Sequence, residues 1–445
     1  AYIIAYTYAG LLDFAGPVQT WIRDLTGLSY GDYWFFEIRS LGGAVVMMSL
    51  VLYPYVYLMA RAAFLEQSVS SLEVGGSLGY SRWRAMWSLA LPMARPAIIA
   101  GLSLALMETL ADYGTVQYYG VSTFTTGIFR TFYGYGDTAA ASQLAASLLA
   151  FVILLVMLER YSRRRARYHS QAESRARADL IPLKGSQAAV AIAICLTPLL
   201  LGFVIPATQL LLWAIFEAEP LGWDFVGLAW NSFSLAFLAA IIAVTLAIIL
   251  AYAKRTKPIK PVRTVIAMAG FGYALPGTII AIGVLIPLAW ADHRLINLFE
   301  SLGWDSPGLL LSGSLVALLF AYTVRFLAVA LGSVQSGLEK IKPTLDHAGR
   351  SMGHNSWAIL RQIHVPLMRS SILTGVLIVF VDVLKELPAT LILRPFNFDT
   401  MAVRAYELAS DERLVDAAPA SIMIVLVGLI PVLMLHASIA RRRPH

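Results

Sequence analysis

From Phe225 to Ala253 the chain reads FVGLAWNSFSLAFLAAIIAVTLAIILAYA, a run with no charged residue. The hydrocarbon core of a bilayer takes about 20 helical residues, and this run exceeds that length. Its Leu, Ile, Val and Ala do not alternate with polar residues. A barrel strand requires such alternation, so the run is predicted to be a membrane-spanning helix. Ala188–Phe216 and Thr264–Ala291 are uncharged over comparable lengths. The chain of 445 residues is 58% hydrophobic and 14% charged, with a mean hydropathy of +0.69. A soluble domain could not cover so much apolar surface, so the bilayer is the solvent.

Hydropathy along the rest of the chain predicts ten spans, roughly 1–16, 41–60, 96–112, 139–158, 188–216, 232–253, 264–289, 308–331, 370–391 and 418–440. Most of the 34 Lys and Arg fall in loops 61–95, 159–187, 254–263 and 332–369 and in the tail from Arg441. By the positive-inside rule these segments face the cytoplasm. The same asymmetry explains the net charge of +7, so no nucleic-acid partner is needed. Arg163-Arg164-Arg165 reads as a topology determinant that could also attract anionic membrane lipid. The single Cys195 lies in an apolar run. That excludes a disulfide framework or a cysteine-rich metal site and marks it as a packing residue.

Two segments, opening at Glu73 and at His347, share an uncommon spacing. The first is Glu73-Val74-Gly75, three residues, Gly79, nine residues, then Leu89-Ala90-Leu91-Pro92. The second is His347-Ala348-Gly349, three residues, Gly353, nine residues, then Ile363-His364-Val365-Pro366. Trp83 and Trp357 follow the glycines at the same distance, as Arg95 and Arg369 follow the prolines. Each copy reads as a short helix, a glycine stop in the left-handed conformation and a second helix capped by Ser81 or Asn355. Pro92 and Pro366 are predicted to break the chain where it turns into the membrane. The small residues Gly75, Gly76, Ala348 and Gly349 suit close approach to another protein's backbone. Packing of a re-entrant turn, or rest on the membrane surface, would also use such glycines and amphipathic helices. Neither explains a whole spacing repeated on one side of the membrane.

The repeat continues without a gap: Gly101 matches Gly375, Glu108 matches Asp382, Leu110 matches Leu384 and Asp112 matches Glu386. Residues 1–160 are therefore predicted as a first half, 161–187 as a cytoplasmic linker and 188–445 as a second half. The second half has six predicted spans and the first four, so symmetry predicts about two more ahead of Ala1. Both motif loops share one orientation, which makes the repeat parallel, with its axis along the membrane normal.

Charged residues inside spans are costly and are functional candidates. Asp382 and Glu386 fall on one helical face with Lys385 beside them, and their counterparts Glu108 and Asp112 have the same spacing. These carboxylates could line an entrance favouring cations, which prefer oxygen ligands. Alternatively, Lys385 and Arg325 neutralise the acids within the bundle. Tyr113, Tyr118, Tyr119, Tyr133 and Tyr135 read as an interfacial aromatic belt, or as hard ligands for iron. No G-x-x-x-x-G-K-[ST] phosphate loop and no Gly-Lys dipeptide occur, so energy from ATP would have to come from a partner. No nucleophile–His–acid set or zinc-type spacing is found.

The repeated spacing resembles the E-A-A-x3-G-x9-I-x-L-P signature of ATP-binding-cassette (ABC) importer permeases. The resemblance implies an all-α polytopic membrane protein with two pseudo-symmetric helical bundles of the ABC importer permease type, in a bacterial inner membrane. It implies two cytoplasmic ABC ATPase subunits whose clefts receive the loops, a periplasmic substrate-binding protein, and no cofactor in this chain, ATP being used by the partners. It assigns ATPase docking to Glu73, Val74, Gly75, Gly79, Trp83, Pro92, His347, Ala348, Gly349, Gly353, Trp357 and Pro366. His347 departs from the signature, which has Glu there, so the two loops are expected to dock unequally. The translocation route is assigned to Glu108, Asp112, Asp382, Lys385 and Glu386.

Three stretches are similar to the fused ferric-iron importer permeases: Glu108–Val116, Val379–Thr400 and Tyr406–Glu412. This similarity implies Fe(III) as cargo, while related fused permeases carry thiamine, polyamine or phosphonate compounds. An ion-gradient-driven secondary transporter would also show repeats and intramembrane carboxylates, and a membrane scaffold or sensor would bind partners without moving anything. The repeated cytoplasmic loop counts against both.

Overall fold

The computed structural model describes residues 1–29, 31–66, 79–164, 183–220, 222–306 and 308–440, and no strand occurs among them. Among the described residues, seven helices are long and apolar enough to cross a membrane: Leu41–Leu65, Trp83–Ala111, Thr138–Glu159, Ser186–Glu217, Trp223–Thr256, Gly277–Ser301 and Leu315–Glu339. Ser356–Leu367 and Arg369–Leu384 make an eighth candidate only as a pair, bent by 76°. The last predicted span lies within helix Leu414–Ala440.

The segment 1–16 holds helix Tyr2–Leu12. Two predicted spans are corrected. The segment 370–391 is two helices, Arg369–Leu384 and Pro388–Leu393. The segment 264–289 is not one helix. Lys260–Ala269 stops at Gly270, a 3-10 turn occupies Gly272–Ala274, and a new helix runs Gly277–Ser301. Hydropathy does not register this break because glycine and proline carry no charge. Gly272 is required by close approach: a Cβ there would lie 1.9 Å from the Val324 carbonyl oxygen. Helix Gly277–Ser301 also carries a fully buried Asp292. Its carboxylate accepts hydrogen bonds from the Leu311 and Ser312 amides and the Ser312 hydroxyl, at 2.9, 2.7 and 2.6 Å.

The described chain divides into two compact units, Ala1–Thr123 with Ala146–Gln209, and Phe124–Ala145 with Leu210–His445. These spatial units and the sequence halves are different partitions. In the first unit, Ile4, Ala5, Tyr8, Ala9, Met47 and Tyr119 form a buried cluster. The Tyr119 hydroxyl donates to the Ala5 carbonyl at 2.9 Å, which makes this tyrosine a core residue rather than part of an interfacial belt. The segment after the linker joins the same unit: Tyr8 donates to the Leu201 carbonyl at 2.7 Å, and a Cβ on Gly202 would lie 2.7 Å from the Leu50 carbonyl oxygen.

In the second unit, Ala236, Ala239, Ala240, Ala243, Ala247 and Ala251 form a buried stripe along Trp223–Thr256. Small side chains at helical spacing let neighbouring helices pack closely, which is how membrane helices associate without a hydrophobic driving force. The sequence repeat is also a packing repeat. A Cβ on Gly101 would lie 3.3 Å from Met59 Cβ, and one on Gly375 would lie 3.3 Å from Ser333 Cβ. Met59 and Ser333 are offset along the chain by the same amount as the two glycines.

Candidate functional site

The second motif loop is described throughout. Helix Thr344–Ser351 carries His347, Ala348 and Gly349. It ends at Gly353, whose φ of 83° is the left-handed conformation expected of a glycine stop. The Gly353 amide donates to the Arg350 carbonyl and the His354 amide to the Gly349 carbonyl, both at 3.0 Å. Asn355 then caps Ser356–Ile359 by accepting from the Ala358 amide at 2.8 Å. In the first copy Gly79 has φ 73°, and the Ser81 hydroxyl accepts from the Arg84 amide at 3.3 Å. Glu73, Val74 and Gly75 lie outside the described residues.

The two copies share a burial pattern. Ala85 and Ile359, Ala90 and His364, and Ala94 and Met368 occupy equivalent positions and are buried. Trp83 and Trp357 are 74% and 66% exposed, and Pro92 and Pro366 are exposed too. A large apolar side chain is thus left uncovered at the same place in both copies. His347 and Ala348 are exposed as well. Gly349 is not available to a partner: a Cβ there would meet Ile359 at 3.0 Å, so its small size serves packing within the loop.

A second repeated feature was not anticipated. Residues Met86–Ala90 and Leu360–His364 are both π-helical turns, at equivalent positions of the two copies. In each, the ladder slips by one residue: Leu91 N–H bonds to Met86 O, and Val365 N–H to Leu360 O. The cause is the following proline. Pro92 and Pro366 cannot donate, and their rings would collide with the carbonyls of Ser88 and Gln362 four residues back. Another π turn, Leu200–Val204, also ends two residues before a proline, Pro206. Pro92 thus widens the helix without breaking it, and Pro366 widens it just ahead of a break. Trp83–Ala111 continues as one helix past Pro92, whereas the second copy bends at Met368, after Pro366.

Beneath the second loop lies a buried ionic cluster. The Arg255 guanidinium donates from Nε and Nη2 to Asp346 Oδ2, at 2.9 and 2.5 Å. Its remaining donors reach the Leu338 carbonyl at 2.7 Å and the Ile341 carbonyl at 2.9 Å. His364 Nε2 lies 2.9 Å from the other carboxylate oxygen of Asp346. Tyr252 packs edge-on against the His364 ring and donates to the Ser356 carbonyl at 2.7 Å. Sequence offers one faint signal for this cluster, an acid beside His347 in the motif. Arg255 is too remote along the chain to be paired with it by pattern.

The intramembrane acids have assigned partners. Glu386 accepts from the Ala389 amide at 3.1 Å and from the Thr390 amide and hydroxyl at 3.0 and 2.9 Å, capping helix Pro388–Leu393. Arg325 Nη1 donates to it at 2.9 Å. Asp112 repeats the cap: it accepts from the Thr115 and Val116 amides and the Thr115 hydroxyl, at 3.1, 3.2 and 3.0 Å. It therefore opens helix Gly114–Tyr118. A carboxylate placed before a short helix satisfies amides that would otherwise be orphaned. Lys385 pairs with Asp382 at 2.8 Å, and Glu108 is half-buried. Neutralisation within the bundle thus holds for Asp382 and Glu386, with Lys385 and Arg325 as the cations. Among the described residues, no group of three or more His, Cys, Asp and Glu is placed to hold a metal ion.

Residues 15–168 match the family described as binding-protein-dependent transport system inner membrane component. The chain is 25% identical to an Fe(3+)-transport system permease protein of Haemophilus influenzae over 405 residues, 90% of this chain and 77% of that one. It is 25% identical over 158 residues to a molybdenum transport system permease of the same organism, covering 35% and 66% of the two chains. A putative 2-aminoethylphosphonate transport system permease of Salmonella typhimurium is 23% identical over 208 residues, 46% of this chain and 72% of its own. The family match covers the first loop, and the second copies its spacing, its glycine stop and its π turn. Over residues 15–168 the chain is similar to inner-membrane components of binding-protein-dependent transport systems, and its long apolar helices make it a multi-pass membrane protein.

Proposed function

We propose that this permease imports Fe(III) delivered by a periplasmic binding protein, driven by two cytoplasmic ATPase subunits that dock on the two motif loops. The observation that carries the docking reading is the paired exposure of Trp83 and Trp357 beside glycine stops of the same geometry. The cargo reading is supported by similarity to an Fe(3+) permease along 90% of the chain. The molybdenum and phosphonate relatives match shorter stretches. In this reading the chain is not itself an enzyme and binds no cofactor, since ATP is hydrolysed by its partners. Glu73, Val74, Gly75, His347 and Ala348 belong to the docking surface. Asp112 and Glu386 shape the route by fixing the short helices they cap, with Glu108, Asp382 and Lys385 beside them.

The test is uptake of radioactive Fe(III) into proteoliposomes holding the permease with its ATPase and binding protein. Uptake should require ATP inside the vesicle and should not be competed by molybdate or an aminophosphonate. Uptake that persists without ATP would instead identify a gradient-driven transporter, and competition by either anion would change the cargo. In the same assay, Gly79→Val with Gly353→Val should leave hydrolysis running while uptake falls. A Cβ at either position meets nothing within 4 Å, so the cost is the left-handed backbone, about 1–2 kcal/mol per site. The loops would then relax away from the docked shape. Full uptake by the double variant would remove the docking role.

A further inference from the structure

The two docking loops hold the same spacing but differ in the residues beside it. The second is fastened to the inner end of Trp223–Thr256 through Arg255, which grips Asp346 and two carbonyls at once. His364 closes the other side of the same carboxylate from within the π turn. The positions equivalent to Asp346 and His364 in the first copy are Leu72 and Ala90, which carry no charge. The first loop's segment runs straight on into the membrane, whereas the second is bent by 76°.

We propose that Arg255, Asp346 and His364 form a latch that sets the angle of the second docking helix, so that the two loops transmit ATPase closure unequally. The inference rests on the docking reading and adds positioning residues to it. Asp346 is buried, as is His364, so neither offers a surface to an ATPase. They act through the helix that carries His347 and Ala348. An ionic clamp resists rotation where an apolar contact slides, because one guanidinium holds Asp346 Oδ2 through two nitrogens and two backbone carbonyls through its other hydrogens. The latched loop therefore pushes on Trp223–Thr256 directly. The first loop, with Leu72 and Ala90 at the equivalent positions, cannot form this clamp.

The experiment begins with the chain alone in lipid nanodiscs. Cys195→Ser removes the single native thiol, and Lys257→Cys with Ser351→Cys supplies two exposed sites for spin labels. The parent should give one narrow distance distribution. Asp346→Asn removes the charge, and Arg255→Lys removes the fork and its carbonyl bonds; each should broaden the distribution. In the assembled transporter, iron moved per ATP hydrolysed should fall about tenfold, the size of an ordinary coupling energy between sites. ATPase association should be unchanged, and Asp346→Glu should restore part of the ratio. A purely structural lesion lowers uptake and hydrolysis together and leaves their ratio unmoved.

An unchanged distance distribution in both variants overturns the latch. An unlatched loop with a normal ratio, or loss of ATPase association with both activities, overturns its part in transmission. Failure of the docking reading is distinguishable: Trp357→Ala, which leaves the latch intact, would then bind the ATPase as tightly as the parent.

Discussion

Glu386→Ala should destabilise the second compact unit by about 3–5 kcal/mol, the usual cost of stranding one partner of a buried ion pair. Arg325 is buried, with its partner nearly fully so, and it sits within a membrane helix where an unpaired guanidinium is rare and expensive. Glu386 also serves three donors of helix Pro388–Leu393, so the substitution removes a cap worth about 1 kcal/mol as well. Asp112→Ala removes the equivalent cap, and the position matching Arg325 in the first half is Val51. The first half thus shows how to rescue the second. Arg325→Val combined with Glu386→Gln should be markedly more stable than Glu386→Ala alone. Gly277→Ala should resemble the loss of the pair, since its Cβ would lie 2.3 Å from Arg325 Nη1 and 2.5 Å from Glu386 Oε1. Thermal unfolding of the four purified variants in detergent, followed by tryptophan fluorescence, measures the set. Equal stability of Glu386→Ala and the double variant would show that stranding Arg325 costs nothing beyond the lost cap.

The spans were legible because hydropathy integrates over the whole thickness of the bilayer, and the repeat was legible because its glycines and prolines are fixed by backbone geometry. Gly79 and Gly353 hold the left-handed conformation read from their spacing. What escaped the sequence falls into two physical classes. Breaks made by glycine or close approach, as at Gly272, leave no mark on an uncharged run. Contacts between residues remote along the chain leave no pattern, as with Arg255 on Asp346. Proline was partly legible: the predicted break does follow Pro366, at Met368, whereas Pro92 only widens the ladder into a π turn, a missing donor being met by slipping one residue. The acids were half legible. Asp112 and Glu386 each precede a short helix whose first amides need an acceptor, and in Glu386-Leu387-Pro388 the proline at the first helical position signals that helix directly. Read as caps, they need no ligand to justify their position.

The largest effect on assembly is expected at the tryptophans. Trp357→Ala should weaken ATPase binding by about 2 kcal/mol, roughly 30-fold in Kd, the scale of an interface anchor residue. Trp83→Ala should do the same at the first loop, and the pair together should prevent recovery of the complex. Both side chains are mostly uncovered, so truncation removes little from the chain's own packing, and the unfolding temperature should not move. That separates them from Ile359, buried in the same loop, where truncation to alanine opens a cavity and lowers stability by about 2–5 kcal/mol. Titration of the purified ATPase onto permease in nanodiscs measures the tryptophans, and the unfolding transition measures Ile359. Inequality between the two tryptophans is informative in itself. The bent, latched second loop presents Trp357 on a fixed support, so less ordering is lost when its partner binds. Its truncation should therefore weaken binding more than that of Trp83. Should Trp83→Ala prove the more damaging, the straight first loop is the principal anchor, and the stiffness of the second serves transmission rather than affinity.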